Sequence, residues 1–511
     1  MINKAVILYC LQIYKAFIPL AFIPLIINIL GTERYGMIAF FYMLVGLLGL
    51  LDAGVSGTFL KLVATNKENV KNYRKVFTLF IKTLCIFMLI GFSLFVFFNL
   101  KEEYIVSTWL NTNVAKKEAL YAVQSIGFIL ALLYVKSYLS SFLNGMEKQE
   151  LVSIWGGVYN TIFYFGSYVA IRFIDGTLFS FFYVMKLLAI LDALVTIIMV
   201  VIIYIRHVKI LLASDLLQTK DVSELIKNEL TLTKIIKFSI QLSGLSIIWV
   251  VATQIDKFVL SMYIPLDEYA KYQIAVQLCS IIAVISAPLT QILLPRLSNL
   301  YHDNQHHLYT KLFCDSLVIF TFLLAPLGPY FFYFGGDLIY LWIGDAKLAY
   351  EINNFSKWLV SAAFASAIMN FIFIYLYSVG HLKQHFYAYA LYSLFSVPLS
   401  ILVAKHYGAI GSAKFVFAHT IMFMLIWGGG QLKRHFIGLV YQYSIMLISV
   451  IVISNISFYV FFEMLGKDSN SLTKALIPPF SNIFLMLLIT LAFKEKILII
   501  VRNVKLKSTN I

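Results

Sequence analysis

The chain has 511 residues, 61% of them hydrophobic and only 13% charged, with a formal net charge of +15 and a mean hydropathy of +0.85. Soluble domains hold roughly 45–50% apolar and about 25% charged residues, so a soluble globular protein is excluded and lipid must be the solvent. The apolar residues fall in continuous blocks long enough to cross a hydrocarbon core about 30 Å thick at about 1.5 Å per residue. A β-barrel would instead show short alternating segments.

The first block, 5–30, carries Lys15, Pro19 and Pro24. It is too long for a signal-peptide core and lacks a small-residue cleavage site, so it is expected to be a span. Blocks 36–60, 78–99 with Lys82, 120–143 with Lys136, 151–174, and 178–205 with Lys186 and Asp192 complete a first set of six. Residues 206–234 hold several lysines with Asp215, Asp221, Glu224 and Glu229, and are expected to be a cytoplasmic linker. The chain then resumes with 235–261, which carries Asp256 and Lys257, and 269–295, which carries Pro288 and Pro295. Blocks 311–335, 354–379, 385–404 and 410–430 follow, and then a final, weaker pair, 439–462 and 476–493. Pro19, Pro24, Pro288 and Pro295 are expected to break the backbone hydrogen-bond ladders of their helices, which allows bending and frees carbonyls toward a cavity.

Placing both termini in the cytoplasm puts 23 of the Lys and Arg residues on the inside, 12 on the outside and five within the spans. That excess follows the positive-inside rule, so the basic charge is a topology signal, not a nucleic-acid footprint. The four cysteines (Cys10, Cys85, Cys279, Cys314) have no metal-ligand spacing and are expected to be small core residues. His302, His306 and His307 lack the His-Glu-x-x-His arrangement of a metalloenzyme. No Gly-x-x-x-x-Gly-Lys-[Ser/Thr] loop occurs, and the outer loops are too short for a catalytic domain. The expectation is a transporter, not an enzyme, with no cofactor and no metal. Most of the Tyr and Phe residues are expected to face lipid or the interfaces.

The turn after the first block, Thr32-Glu33-Arg34-Tyr35-Gly36, aligns at an offset of 234 with Leu266-Asp267-Glu268-Tyr269-Ala270 after the seventh. Six spans separate the two, an even number, which makes a parallel repeat. The expected fold is an all-α polytopic membrane protein of about 14 transmembrane helices. Residues 1–205 form one six-helix lobe and 235–432 a second around a central cavity, with 433–511 as a helix pair and basic cytoplasmic tail. Each of the five intramembrane cations costs roughly 2.5–3.5 kcal/mol at a helix centre and needs a reason. Lys82 and Lys257 lie near helix ends, where snorkelling or an ion pair suffices, and Asp256 and Lys257 are sequence neighbours that should not face each other on a helix. Lys15, Lys136 and Lys186 lie deep in the first lobe. Asp192 is badly spaced to pair with Lys186 on their shared helix, so any partner should sit on another. The three lysines read as a cavity that receives an anion, and a phosphate-bearing head group would suit it.

The motifs Leu30-Gly31-Thr32-Glu33-Arg34-Tyr35-Gly36, Leu51-Asp52-Ala53-Gly54-Val55-Ser56, Gln254-Ile255-Asp256-Lys257, Asp267-Glu268-Tyr269-Ala270-Lys271-Tyr272, Leu294-Pro295-Arg296-Leu297-Ser298 and Tyr407-Gly408-Ala409-Ile410-Gly411 occur in this order. With them the chain resembles the Wzx-type polysaccharide-biosynthesis flippases of the multidrug/oligosaccharidyl-lipid/polysaccharide exporter superfamily. The resemblance implies alternating access in a bacterial cytoplasmic membrane. Its implied cargo is an oligosaccharide repeat unit on undecaprenyl pyrophosphate, for O-antigen or capsule assembly, with membrane lipids and a polysaccharide polymerase as partners. It leaves the role of Asp256 open between ion coupling and structure. A flippase for teichoic acid or a peptidoglycan precursor and a drug or cation antiporter on the same fold are the alternatives, with a membrane polymerase as the rival from another class.

Overall fold

In a computed structural model of the chain, residues 2–52, 54–215, 232–437, 439–465, 470–492 and 505–506 are described. Residues 216–231 of the expected linker and most of the basic tail lie outside them. Nearly everything described is helix, because only a helix satisfies each backbone N–H and C=O within its own segment in lipid. The exception is a two-residue antiparallel pair, β1 (Phe436–Ile437) with β2 (Lys505–Leu506).

The chain divides into two compact units, Met1–Asp267 and Glu268–Ile511. The first holds α1 (Ile2–Asp52), α2 (Val55–Asn66), α3 (Val70–Leu100), the short α4 (Glu102–Tyr104) with a π turn at Ile105–Trp109, α5 (Lys116–Gly145), α6 (Gln149–Phe173), α7 (Leu178–Asp215) and α8 (Leu232–Tyr263). The second holds most of α9 (Leu266–His302), then α10 (His306–Leu324), α11 (Leu327–Tyr333), α12 (Gly335–Ile343), α13 (Ala346–Ser378), α14 (Leu382–Phe423), α15 (Gly429–His435), α16 (Leu439–Leu465) and α17 (Ser471–Ala492).

Among the described residues, eight helices are long and apolar enough to cross a membrane. Two are far too long for one crossing: Cys10–Asp52 and Leu382–His435 span 43 and 54 residues. The first is a hairpin. Phe22 packs on Tyr164 with ring centroids 6.1 Å apart, and Tyr42 hydrogen-bonds the same Tyr164. Twenty residues of straight helix would hold Phe22 and Tyr42 about 30 Å apart, so the chain doubles back between them. The turn is Gly31, at φ 78°, ψ 166°, a region essentially restricted to glycine. The prolines do not make this turn. Pro19 and Pro24 each remove one ladder hydrogen bond, yet α1 stays helical through both and leaves helical φ/ψ only at Gly31. In α14, Tyr392 hydrogen-bonds His419 at 3.1 Å and stacks near Phe423. That helix folds back too, at Gly408 (φ 59°, ψ −153°).

The second span is interrupted. Gly54 takes a left-handed conformation (φ 68°) and opens α2, where the Asp52 carboxylate accepts from the Ser56 backbone and hydroxyl. The Leu51–Ser56 motif is therefore a helix break with its own N-terminal acceptor.

A subset of the aromatics departs from the expectation. Tyr73, Tyr134, Tyr138, Tyr269, Tyr272 and Tyr309 are fully buried. In the first unit Phe80, Phe87, Tyr134 and Tyr138 stack at 4.2–4.7 Å between α3 and α5. The hydroxyls of Tyr134 and Tyr138 donate to the Leu51 and Phe80 carbonyls. A phenol is safe in an apolar core once its O–H reaches a carbonyl. Aliphatic residues face outward instead: Leu187, Leu194, Ile198 and Ile205 on α7 are all 42% exposed or more. The cysteines divide similarly. Cys314 is buried, but Cys10 and Cys85 are exposed, so only one is a full core residue. In the second unit the ladder is Tyr309 to Ser378, Tyr443 with Thr321, and Tyr330 to the Ala475 carbonyl.

Candidate functional site

The lysines of the first unit separate into two places. On α5, Lys136 Nζ lies 2.8 Å from Asp192 Oδ2 of α7, with Asp192 only 1% exposed. The other Asp192 oxygen accepts from Trp155 Nε1 of α6 at 2.7 Å, and the Lys136 ammonium also sits 5.5 Å from the Tyr159 ring centroid. Lys136 is thereby held by a carboxylate and a π face at once. Asp192 thus takes its cation from α5 and not from Lys186 on its own helix.

Lys15 comes to the same neighbourhood from α1. Its Cδ and Nζ lie 3.7 and 3.9 Å from the position a Cβ would take at Gly156, and it feels the charge of Lys136. Leu11 and Tyr14 lie 3.7 Å from the corresponding position at Gly157, and the Tyr14 hydroxyl bonds that of Thr161 at 2.7 Å. The Gly156-Gly157 pair thus lets the first arm of α1 approach α6 closely. Among the described residues no carboxylate pairs with Lys15. Among the described residues, two ammonium groups and one carboxylate leave one positive charge without a counterion, that of the half-buried Lys15.

Lys186 is elsewhere. Six residues separate it from Asp192, about 240° around a helix of 3.6 residues per turn, so the two leave α7 on different sides. Its ammonium lies 4.1 Å over the Tyr121 ring and lines a cavity of about 380 Å³ bounded by α3, α5 and α7, to which neither Lys15 nor Lys136 contributes. Lys82 is exposed on α3, one turn from the start of its apolar block. On α8, Asp256 is 7% exposed and pairs with Lys257 at 3.1 Å. The long lysine stem curls back, its ammonium also reaching the Thr253 carbonyl, and so adjacent residues do meet.

The Gly31–Gly36 motif has a mechanical role. Thr32 donates to Asp267, and Glu33 accepts from the Asn113 backbone. Arg34 makes a two-pronged contact with Glu118, 2.9 Å from Nε and 3.2 Å from Nη2. Glu118 is 3% exposed and also accepts the Leu178 N–H that opens α7. Nearby, burial opposes ionisation of the Asp175 carboxyl, but hydrogen bonds from Ser180 and Thr177 and the charge of Arg34 outweigh it and hold it below the usual carboxylate range. At Gly36 a Cβ would stand 2.5 Å from the Leu266 carbonyl oxygen. Glu118→Ala is expected to lower thermal stability in detergent by roughly 1–3 kcal/mol, since Arg34 and the Leu178 N–H lose their acceptor, with Glu118→Gln recovering part of it. An unchanged melting curve for Glu118→Ala would remove this clamp from the account.

Trp155, Tyr159 and Glu118 are contacts of the candidate residues that sequence reasoning missed. The readable signal was Gly156-Gly157 early in its span, with Trp155 just before it and Tyr159 two residues after. Among the described residues no three His, Cys, Asp or Glu side chains converge as a metal would require.

Residues 1–301 match the family described as "Polysaccharide biosynthesis protein". The chain belongs to that family. This polysaccharide-biosynthesis family member is 22% identical over 394 residues to a Shigella flexneri protein described as "Putative O-antigen transporter", covering 75% of this chain and 86% of that one. Its fold resembles a lipid II flippase MurJ in an inward closed conformation, with a TM-score of 0.67, 16% identity, and coverage of 97% of this chain and 100% of the other. It also resembles an inward-facing multidrug resistance MATE transporter, with a TM-score of 0.57, 12% identity, and coverage of 84% and 98%. The family member is thus a multi-pass membrane protein with an exporter fold, and the proteins it resembles are named as transporters or flippases.

Proposed function

We propose that this chain is a flippase that carries undecaprenyl-pyrophosphate-linked oligosaccharide repeat units from the inner to the outer leaflet of a bacterial cytoplasmic membrane by alternating access. The observation that carries the reading is the uncompensated charge of Lys15 beside the Lys136–Asp192 pair. A buried ammonium without a counterion is costly in lipid, and a pyrophosphate would supply the missing negative charge through short charge-assisted hydrogen bonds. Trp155 and Tyr159 offer flat faces to a sugar. A cation exporter would need the opposite balance, with carboxylates in excess.

The layout that goes with this reading is two parallel six-helix repeats and a terminal helix pair. Counting α1 and α14 as hairpins and adding α6, α8, α9 and α17 to the eight clear spans brings the crossings to about fourteen. Breaks recur at the expected offset. Gly31 and Pro265, the ends of α5 and α13 (Gly145, Ser378), the starts of α6 and α14 (Gln149, Leu382) and the starts of α3 and α10 (Val70, His306) each lie 233–236 residues apart. The lysine distribution places both termini in the cytoplasm, and a polysaccharide polymerase would consume the exported unit.

The test is a deletion strain assayed for lipid-linked oligosaccharide. Accumulation of intact repeat units on the cytoplasmic face, relieved by the wild-type gene, is expected. Loss of drug resistance with normal surface glycan would instead select the antiporter reading.

A further inference from the structure

The Lys186 cavity lies apart from the Lys15–Lys136 neighbourhood and has the chemistry of a separate site. Its polar wall is Asn99 of α3, Gln124 and Ser125 of α5 and Lys186 of α7. Asn99 already donates to the Phe95 carbonyl, and Ser125 to that of Tyr121. Lys186 and the half-buried Gln124 amide make no hydrogen bond or ion pair with any other described residue. One cation and one amide therefore converge on the space with donors to spare. The rest of the wall is apolar and continues to the outside of the bundle. Tyr183, Leu187 and Ile190 are 54%, 50% and 38% exposed, and Leu191 and Leu194 extend the strip along α7.

Depth narrows the ligand. The cavity gathers at one end of the bundle, where α3 finishes at Leu100 and α5 and α7 begin at Lys116 and Leu178. Lys186 is eight residues along α7, about 12 Å from its end, and Gln124 is eight residues along α5. For a helix that begins at the bilayer surface, with polar layers of about 5–7 Å a side, that depth is a few ångströms inside the hydrocarbon, within reach of a lysine stem that snorkels toward the head groups. A ligand entering there comes sideways from lipid, with its charge at Lys186 and its tail along Leu187, Leu191 and Leu194.

We infer that the α3–α5–α7 cavity binds the head-group phosphate of an anionic phospholipid, entering from the bilayer. Lys186 pairs with the phosphate, Gln124 donates to a phosphate or glycerol oxygen, and Tyr121 keeps the ammonium in place from behind. This inference does not rest on the flippase reading, since it uses neither Lys15 nor Lys136.

The test is native mass spectrometry of the full-length protein after delipidation and incubation with equal amounts of phosphatidylglycerol and phosphatidylcholine. Wild type is expected to retain phosphatidylglycerol preferentially. Lys186→Ala should lose about fivefold of that preference, the size of one lysine's attraction to an anionic lipid. Lys186→Arg should retain it, and Gln124→Ala should weaken it without abolishing it. Lys82→Ala, a cation of the same unit outside the cavity, should leave it unchanged. Equal retention by wild type and Lys186→Ala would overturn the proposal, as would an equal loss in Lys82→Ala. If inorganic phosphate alone displaces the bound phosphatidylglycerol, the site takes soluble anions and the assignment to lipid fails.

Discussion

Export of the surface glycan is expected to fall about ten- to hundredfold in a Lys15→Ala variant that still reaches the membrane in normal amount. Lys15 has no carboxylate partner among the described residues, so removing it strands no buried acid, and insertion becomes easier by the cost of one intramembrane charge. What is lost is a charge-assisted contact to the cargo. At roughly 1.5–3 kcal/mol this corresponds to about a ten- to hundredfold fall in export. Lys136→Ala should behave differently. It leaves Asp192, 1% exposed, with only Trp155 for company, and breaking a buried pair from one side costs about 3–5 kcal/mol. That variant should therefore be depleted from the membrane, and adding Asp192→Asn should restore its amount but not its activity. Quantitative blotting of membranes with electrophoresis of surface glycan separates the two effects. Wild-type glycan levels in Lys15→Ala at equal protein would end the anion-site reading.

The second large effect is expected at the hairpin glycines. Gly31 and Gly408 hold φ of 78° and 59° with ψ of 166° and −153°. Side chains with a Cβ are strained by about 1–3 kcal/mol in such conformations. At Gly31 nothing lies within 4 Å of a built Cβ, so the penalty there is purely conformational. Gly31→Ala and Gly408→Ala should each lower thermal stability in detergent by that amount, and the double variant should lose about the sum, since the two turns share no described contact. Substitution of Gly429, also open around its Cβ but helical at φ −61°, is the matched control. If Gly31→Ala and Gly429→Ala melt alike, backbone strain at the turn is not what the glycine relieves.

Which features were legible follows from the physics of each. Apolar block length gives the spans because the bilayer has one thickness. The intramembrane lysines stand out because the cost of a charge there is large enough to demand a reason. The break points were harder. Proline advertises a missing N–H, so Pro19 and Pro24 drew attention, whereas a glycine declares nothing until its φ is known, and Gly31 carried the turn. Partners across helices were hidden for a different reason. The spacing on α7 argued against a Lys186–Asp192 pair, but which helix brings Asp192 its cation depends on helix rotation, which blocks of uniform hydrophobicity do not encode. The grouping of Lys186 with Lys15 and Lys136 failed to anticipate their separation on the same ground. The buried tyrosines were not legible, because a phenol looks interfacial until a backbone carbonyl such as that of Phe80 is found within reach.

The pairing of Lys136 with Asp192 also has an electrical consequence. The pair is neutral, so the empty neighbourhood carries a single net positive charge, that of Lys15. A membrane potential does work of about 2.3 kcal/mol on one charge across 100 mV. With the cell interior negative, the reorientation toward the cytoplasm that the proposed alternating access requires would be helped by the field over whatever fraction of the membrane Lys15 traverses. The proposed pyrophosphate cargo, bearing two negative charges, would reverse the sign of what moves, and the outward journey of the loaded protein would then be helped by the same field. Both half-cycles would run with the voltage, and collapsing the potential should slow them together.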